Sequence, residues 1–334
     1  MKYLLLFTLI ITSSVFSSAP SSDVDLTVEK VLFELVLNRA RQGDAATQFE
    51  VGRIYEKGGI VTKNEVMSVY WYRKAAEQGL AEAQYNLAKM LYSGRGVAEN
   101  DIEAIRWYKK ASEQGYADAQ HQLGLTYDLG LGVPENNIEA IKWYRKAAGQ
   151  GHAQAQNNLG LMYYEGDGVP ENKSEAVKWY KKAAEQGEAW TQHKLGYMYS
   201  SGEGVPVNKR ESARWYTKAA EQGIADSQYN LAILYVEGKG IPVNKSKAAK
   251  WYREAARQGH VSAQYNLALM YILGDGVPKN LTVAYLWSSI ASTQGHEQAT
   301  RNLKVIEAKM TSKQIAQAQD LALKCWESEF KDCD

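Results

Sequence analysis

The residues whose types could carry chemistry are few. They are five histidines (121, 152, 193, 260, 296), two cysteines and one Ser-x-x-Lys motif, Ser328 to Lys331. An acyl-transfer serine of that kind needs a companion S-D-N or K-T-G element, and the chain has neither. Two cysteines are too few for a zinc cluster. His121 and His193 hold the same place in units two apart, so helices 8–10 Å apart would separate them by ~20 Å or more. His152, His260 and His296 fall at turns and read as surface residues. Loops such as GDGVPEN, residues 166–172, contain G-x-G but lack the full G-x-G-x-x-G and any G-K-[ST], so a phosphate cradle is not expected. No catalytic residue, metal or cofactor is assigned from these elements. Cys325 and Cys333 are close enough in sequence to form a disulfide in an oxidising compartment, with two free thiols as the alternative.

A second kind of chemistry is suggested by the stretch EAVKWYKKAAEQG, residues 175–187, where two aromatics adjoin basic residues. In isolation this looks like a nucleic-acid patch. The whole chain argues otherwise: 39 Lys+Arg against 38 Asp+Glu leave a net charge of +1, without the basic excess such a protein carries. The 36-residue recurrence of Trp (71, 107, 143, 179, 215, 251, 287) points to packing. Burying an aromatic side chain contributes up to about 4–6 kcal/mol, against about 1–3 kcal/mol for one stacked base. Trp179, Tyr180 and Ala183 fall on the apolar side of a helix, and Lys178, Lys181 and Lys182 mostly on the other.

The elements that must position these residues follow from the same period. Gln-Gly recurs with it, giving seven units: 44–79, 80–115, 116–151, 152–187, 188–223, 224–259 and 260–295. In the fourth unit Gln156, Leu159, Gly160 and Tyr163 line one helix face, and Gly160 marks a close approach of two helices. Gly166 suits a left-handed helix cap, and Gly168, Val169 and Pro170 form a turn. Asn172 with Glu175 reads as a capping-box pair opening a second helix, and the same pair recurs at Asn100/Glu103, Asn136/Glu139 and Asn208/Glu211. Each unit is a helical hairpin whose apolar stripes are buried only by stacking, so the chain is all-α and solenoidal. Residues 25–43 read as an N-terminal capping helix, with Leu35 where Trp would stand. Residues 296–334 read as a degenerate repeat and cap, opening its last helix at a Thr311–Gln314 capping box.

The pattern A-x-x-Q-x-x-L-G-x-x-Y-x-x-G-x-G-V-x-x-N-x-x-x-A-x-x-W-Y-x-x-A-A-x-x-G resembles the Sel1-like repeat, a relative of the tetratricopeptide repeat. Ile60, in place of the second loop glycine, and Ser288, in place of the Tyr after Trp, depart from it at the ends of the array. The resemblance implies a right-handed α-α superhelix whose first helices line a concave surface that binds proteins or peptides. Relatives linked to penicillin binding carry per-repeat cysteine pairs, which are absent here.

Residues 1–18 read as a signal peptide: one Lys, an apolar run from Tyr3 to Ile11, then small residues. That run is about half the ~20 residues a spanning helix needs. The protein is therefore expected to be exported, periplasmic or secreted, monomeric, and not inserted in a membrane. Function is expected where units differ. On the first helices this selects Tyr85, Lys89, Tyr92, His121, Trp190, His193, Tyr197, Tyr229 and Tyr265 as candidate contacts to a protein or peptide, with Trp190 outside the structural column. The alternatives are a penicillin-interacting hydrolase and an envelope-surface binder working through the basic outer helix faces.

Overall fold

The computed structural model describes residues 23–330 and Cys333; the expected signal peptide, 1–18, lies outside the described residues. Among the described residues every regular element is an α-helix. The first of two compact units ends at Gln150. It holds the capping helix α1 (Asp23–Arg41) and three hairpins, α2 (Ala45–Lys57) with α3 (Glu65–Glu77), α4 (Ala81–Tyr92) with α5 (Asp101–Glu113), and α6 (Ala117–Asp128) with α7 (Asn137–Gly149). The second begins at Gly151. It holds α8 (Ala153–Glu165) with α9 (Lys173–Glu185), α10 (Ala189–Ser201) with α11 (Lys209–Glu221), α12 (Ala225–Glu237) with α13 (Lys245–Arg257), and α14 (Val261–Leu273) with α15 (Leu281–Thr293). The closing helices are α16 (Glu297–Glu307) and α17 (Ser312–Glu327). Each unit is an α-solenoid of stacked hairpins.

Every second helix of a hairpin starts the same way. Asn64, Asn100, Asn136, Asn172, Asn208, Asn244 and Asn280 each accept a hydrogen bond from a backbone N–H two or three residues on, which satisfies one orphan donor of the first turn. The expected return bond from the glutamate is replaced. Glu175 turns to Lys178 at 2.7 Å and Glu211 to Arg214 at 3.0 Å, because an exposed cation one turn away competes for the carboxylate. Among the described residues, only Thr311 and Gln314 form the reciprocal box.

The loop glycines are fixed by approach as well as by conformation. Gly204 sits at φ +71°, and a Cβ there would stand 2.4 Å from the carbonyl oxygen of Lys173 in the preceding hairpin. Ile60 takes this position in the first repeat, which follows α1. It packs with Phe33, Leu37 and Trp71.

Packing explains the WY pair. Tyr72, Tyr144, Tyr180 and Tyr216 lie on Gly52, Gly124, Gly160 and Gly196 of their own hairpins. The tryptophans pack back: Trp71 joins Phe33 and Leu37 of α1, and Trp215 joins Val177 and Tyr180 of α9. Trp107, Trp143 and Trp215 are buried, while Trp179 and Trp251 are half-buried. The lysines differ from the sequence reading. Lys182 does not point away from Trp179; its Nζ lies 4.1 Å from that ring's centre, as Lys110 and Lys146 lie 4.1 and 3.9 Å from Trp107 and Trp143. A long alkyl stem reaches back across the indole edge and puts its ammonium over the ring face. The outer face is therefore less of a free basic ridge than its sequence suggests.

A glutamine ladder ties hairpin to hairpin. Gln192 is buried; its Nε2 donates to the carbonyl of Ala184 in the previous hairpin at 2.9 Å, and its Oε1 accepts from Gln222 of its own at 2.8 Å. Gln48/Gln78, Gln84/Gln114, Gln120/Gln150, Gln228/Gln258 and Gln264/Gln294 repeat the side-chain pair. At the far end Cys325 and Cys333 form a disulfide with Cα atoms 4.6 Å apart, both buried in one cluster with Leu267, Leu286 and Trp287.

Candidate functional site

The row of first-helix aromatics is largely internal. Phe49 is buried against Tyr72, with ring centres 5.5 Å apart. Tyr85 is half-buried between Tyr108 and Tyr116, at 5.8 and 5.3 Å, with Lys89 reaching over it from an exposed position. Tyr92 is half-buried beside the same core. His121 faces Tyr144 at 5.9 Å. Tyr229 stacks on His260, and Tyr265 on His296, each at 4.4 Å. The helices leave a gap between repeats at this column, and a ring fills it.

The junction histidines are half-buried caps, unlike the surface residues the sequence suggested. Nδ1 of His152, His260 and His296 accepts from the N–H of Ala155, Ala263 and Ala299, at 3.2 to 3.3 Å, so each ring caps the start of the helix that follows it. His260 Nε2 lies 3.4 Å from Asp226. Burial holds His260 and His193 below the ordinary imidazole pKa, with Asp226 opposing that shift in both.

Of the candidate aromatics, the two that stay exposed lie on α10. Trp190 is 66% exposed and Tyr197 44% exposed, and with Lys194 they share one face of that helix. His193 is turned inward: Nδ1 contacts Ser227 Oγ at 2.8 Å, and its ring meets Tyr216 and the edge of Trp190 at 5.7 and 6.0 Å. It therefore supports the indole from below. Thr191 anchors the same helix to α8 by donating to Asn157 at 2.7 Å.

Beside this face lies a group the sequence did not single out. Tyr164 of α8 donates to Glu203 at 2.6 Å, and Lys173 reaches the same carboxylate at 3.3 Å. Lys194 Nζ sits 3.8 Å from the centre of the Tyr164 ring. The Glu203 hydrogen bond pushes the Tyr164 phenol up to about 12, and the Tyr164 and Tyr197 hydroxyls together hold Glu203 below the usual carboxylate range. Tyr164 shares its repeat position with Tyr92, so the same column already signalled it. The result is a fixed platform of two phenols, a carboxylate and two ammonium groups beside an exposed indole. It can stack and hydrogen-bond, but it lacks a nucleophile paired with a base. Among the described residues no three His, Cys, Asp or Glu side chains come together to hold a metal, and no helix is long and apolar enough to cross a membrane.

The Sel1 repeat family matches residues 45–80, 81–116, 117–152, 153–188, 191–224, 225–260 and 261–296. The chain belongs to the Sel1 repeat family. Solved structures agree. One is c5321, a protective antigen of uropathogenic Escherichia coli strains displaying an SLR fold, 33% identical with a TM-score of 0.74 over 90% of this chain. This chain spans 66% of that protein's length. A Sel1 repeat protein from Oxalobacter formigenes is 31% identical with a TM-score of 0.64, covering 90% of this chain and 85% of its own. No curated protein matches this chain. Sel1 repeat proteins generally mediate protein–protein interaction, and their scaffolds are typically non-enzymatic.

Proposed function

We propose that this Sel1 repeat protein is an exported scaffold that holds a protein or peptide partner on the face of its first helices, with α10 as the main contact. The observation that carries this reading is Trp190. A two-thirds exposed indole lies outside the packing column, braced by His193 and flanked by Lys194 and Tyr197. Rigid amphipathic aromatics of this kind anchor interfaces, because they bury large area at low entropic cost. Export is supported by the N-terminal sequence and by the disulfide, which persists in oxidising compartments.

A photoreactive amino acid at position 190, irradiated in the native envelope, is expected to crosslink a discrete partner that mass spectrometry can identify. Trp190→Ala with Tyr197→Ala is expected to reduce capture of that partner at least tenfold with helicity unchanged, since neither side chain supports the core. Undiminished capture by the double variant would place the partner elsewhere.

A further inference from the structure

Beneath Trp190 two imidazoles share one carboxylate. His193 of α10 meets the Trp190 edge at 6.0 Å and Tyr216 of α11 at 5.7 Å, and its Nδ1 contacts Ser227 Oγ of α12 at 2.8 Å. Asp226, the residue before Ser227, lies 3.4 Å from Nε2 of His260, whose ring stacks on Tyr229 of α12. That carboxylate favours the charged form of both rings, against their burial. Lys194 faces His193 as well and opposes a charge there. From α8 and α9 the neighbours of α10 are uncharged: Asn157, Val177, Ala184 and the phenol Tyr180. His260 is bordered besides by the Ala255 carbonyl of α13, which accepts from its backbone N–H. The combination is particular to this place. The matching positions read Tyr85, Asp118 and His152, then His121, Gln154 and Glu188 in earlier repeats, and Tyr229, Ser262 and His296 in the next.

We propose that His193, Asp226 and His260 form a pH switch on the α10 face: an uncharged His193 braces Trp190, and in acid the two rings compete for Asp226, His193 leaves its seat and the indole loses its support. One carboxylate balances one positive charge. His260 holds a direct contact with Asp226, so a first proton is balanced there, and the two rings titrate as a coupled pair. A second proton, on His193, meets a half-buried site with the Lys194 ammonium beside it and the one carboxylate already engaged. Keeping an unbalanced charge in such a site costs more than the ring edge and the Ser227 contact return. The way out is short, because the indole that His193 supports is itself 66% exposed, and the ring can turn outward without opening the core. The switch regulates the contact proposed above and rests on that reading for its purpose, but it operates in the chain alone and is measured without a partner.

Fluorotryptophan placed at position 190 of the purified full chain reports the switch by fluorine NMR. Between about pH 8 and about pH 5 its resonance is expected to shift, and to narrow as the indole gains freedom, with helicity unchanged. The midpoint should lie below the ordinary imidazole value of 6.5. His193→Gln can still hydrogen-bond to Ser227 but takes no proton, and its profile should be flat. Asp226→Asn removes the shared anion and should lower the midpoint by about 0.5. His260→Asn keeps the cap and leaves Asp226 to His193 alone, and should raise it by about as much. A flat profile in the unmodified sequence, a shift that persists in His193→Gln, a shift without narrowing, midpoints that move the same way in the other two variants, or a shift that coincides with loss of helicity would each overturn the switch. Any of these leaves α10 standing as the contact face, whereas failure to crosslink a partner from position 190 overturns that contact and leaves the titration intact.

Discussion

The ring of Tyr180 lies directly on the α-carbon of Gly160, so that a Cβ at that glycine would stand 2.7 Å from Tyr180 Cδ1. The two helices of the hairpin approach as closely as they do because one residue has no side chain and the other is flat. Ala88, Ala232 and Ala268 show that a methyl is tolerated when the facing helix is built around it. Inserted singly, Gly160→Ala gains about 1 kcal/mol of helix propensity and costs about 1–3 kcal/mol of overpacking, a net loss of about 1 kcal/mol. Gly160→Val should lose about 3 kcal/mol. Chemical denaturation checks both; a stabilised valine variant would show that the contact is not tight.

Gln192 and Gln222 differ in what their loss leaves behind. Gln192→Leu strips a buried carbonyl at Ala184 of its donor and removes the acceptor for Gln222, which should cost about 2–4 kcal/mol. Gln222→Ala removes two bonds nearer the surface, to Gln192 and to the Gly187 carbonyl, and should cost about 1 kcal/mol. The ordering, read from urea midpoints, is the test, and equal losses would mean that the ladder carries no buried polar penalty.

His260 makes stability depend on pH with a definite sign. Burial depresses its pKa in the folded state, so the unfolded chain binds the proton more readily, and stability rises with pH across the window between the two values. The contribution is full above the ordinary value near 6.5 and is lost as pH falls below it, where protonation also removes the lone pair that accepts from Ala263. Asp226 moderates the effect and Tyr229 stacks on the ring. His260→Asn keeps a cap and has no proton to gain. Its melting temperature should fall less than wild type between pH 7.5 and 5.5 (values chosen within the imidazole range). An identical pH dependence would rule out His260 as the source.

The Cys325–Cys333 bond closes a short loop, a sequence separation of 8, over the end of the array. In the chain-entropy model its removal costs about 2.5 kcal/mol. Cys325→Ser with Cys333→Ser should raise amide exchange in α17 before the central hairpins, because neighbouring repeats contribute their stability separately. Uniform loss of protection throughout the array would show that the bond stabilises more than its own end.

Hairpin number, helix phase, the asparagine caps, the small residue at Gly160 and the reciprocal Thr311–Gln314 box were all legible along the chain. Each is set by residues a few positions apart, or by a feature repeated until chance is excluded. The glutamates of N-x-x-E were misread because a neighbouring lysine or arginine competes for them. The lysines after Trp were misread because a helical wheel places the Cβ and not the ammonium four bonds further on.

Sequence alone determined the period, the helical hairpins and the repeat family, since these follow from local propensity and from a stripe that must be buried. Tertiary structure decided which variable aromatics are free. Tyr85, His121, Tyr229 and Tyr265 share a column with each other and face other rings, whereas Trp190 and Tyr197 face solvent. A side chain's exposure depends on atoms 36 residues away as much as on its own helix. Only stacking the hairpins brings Tyr164, Lys173 and Glu203 of neighbouring repeats to one place.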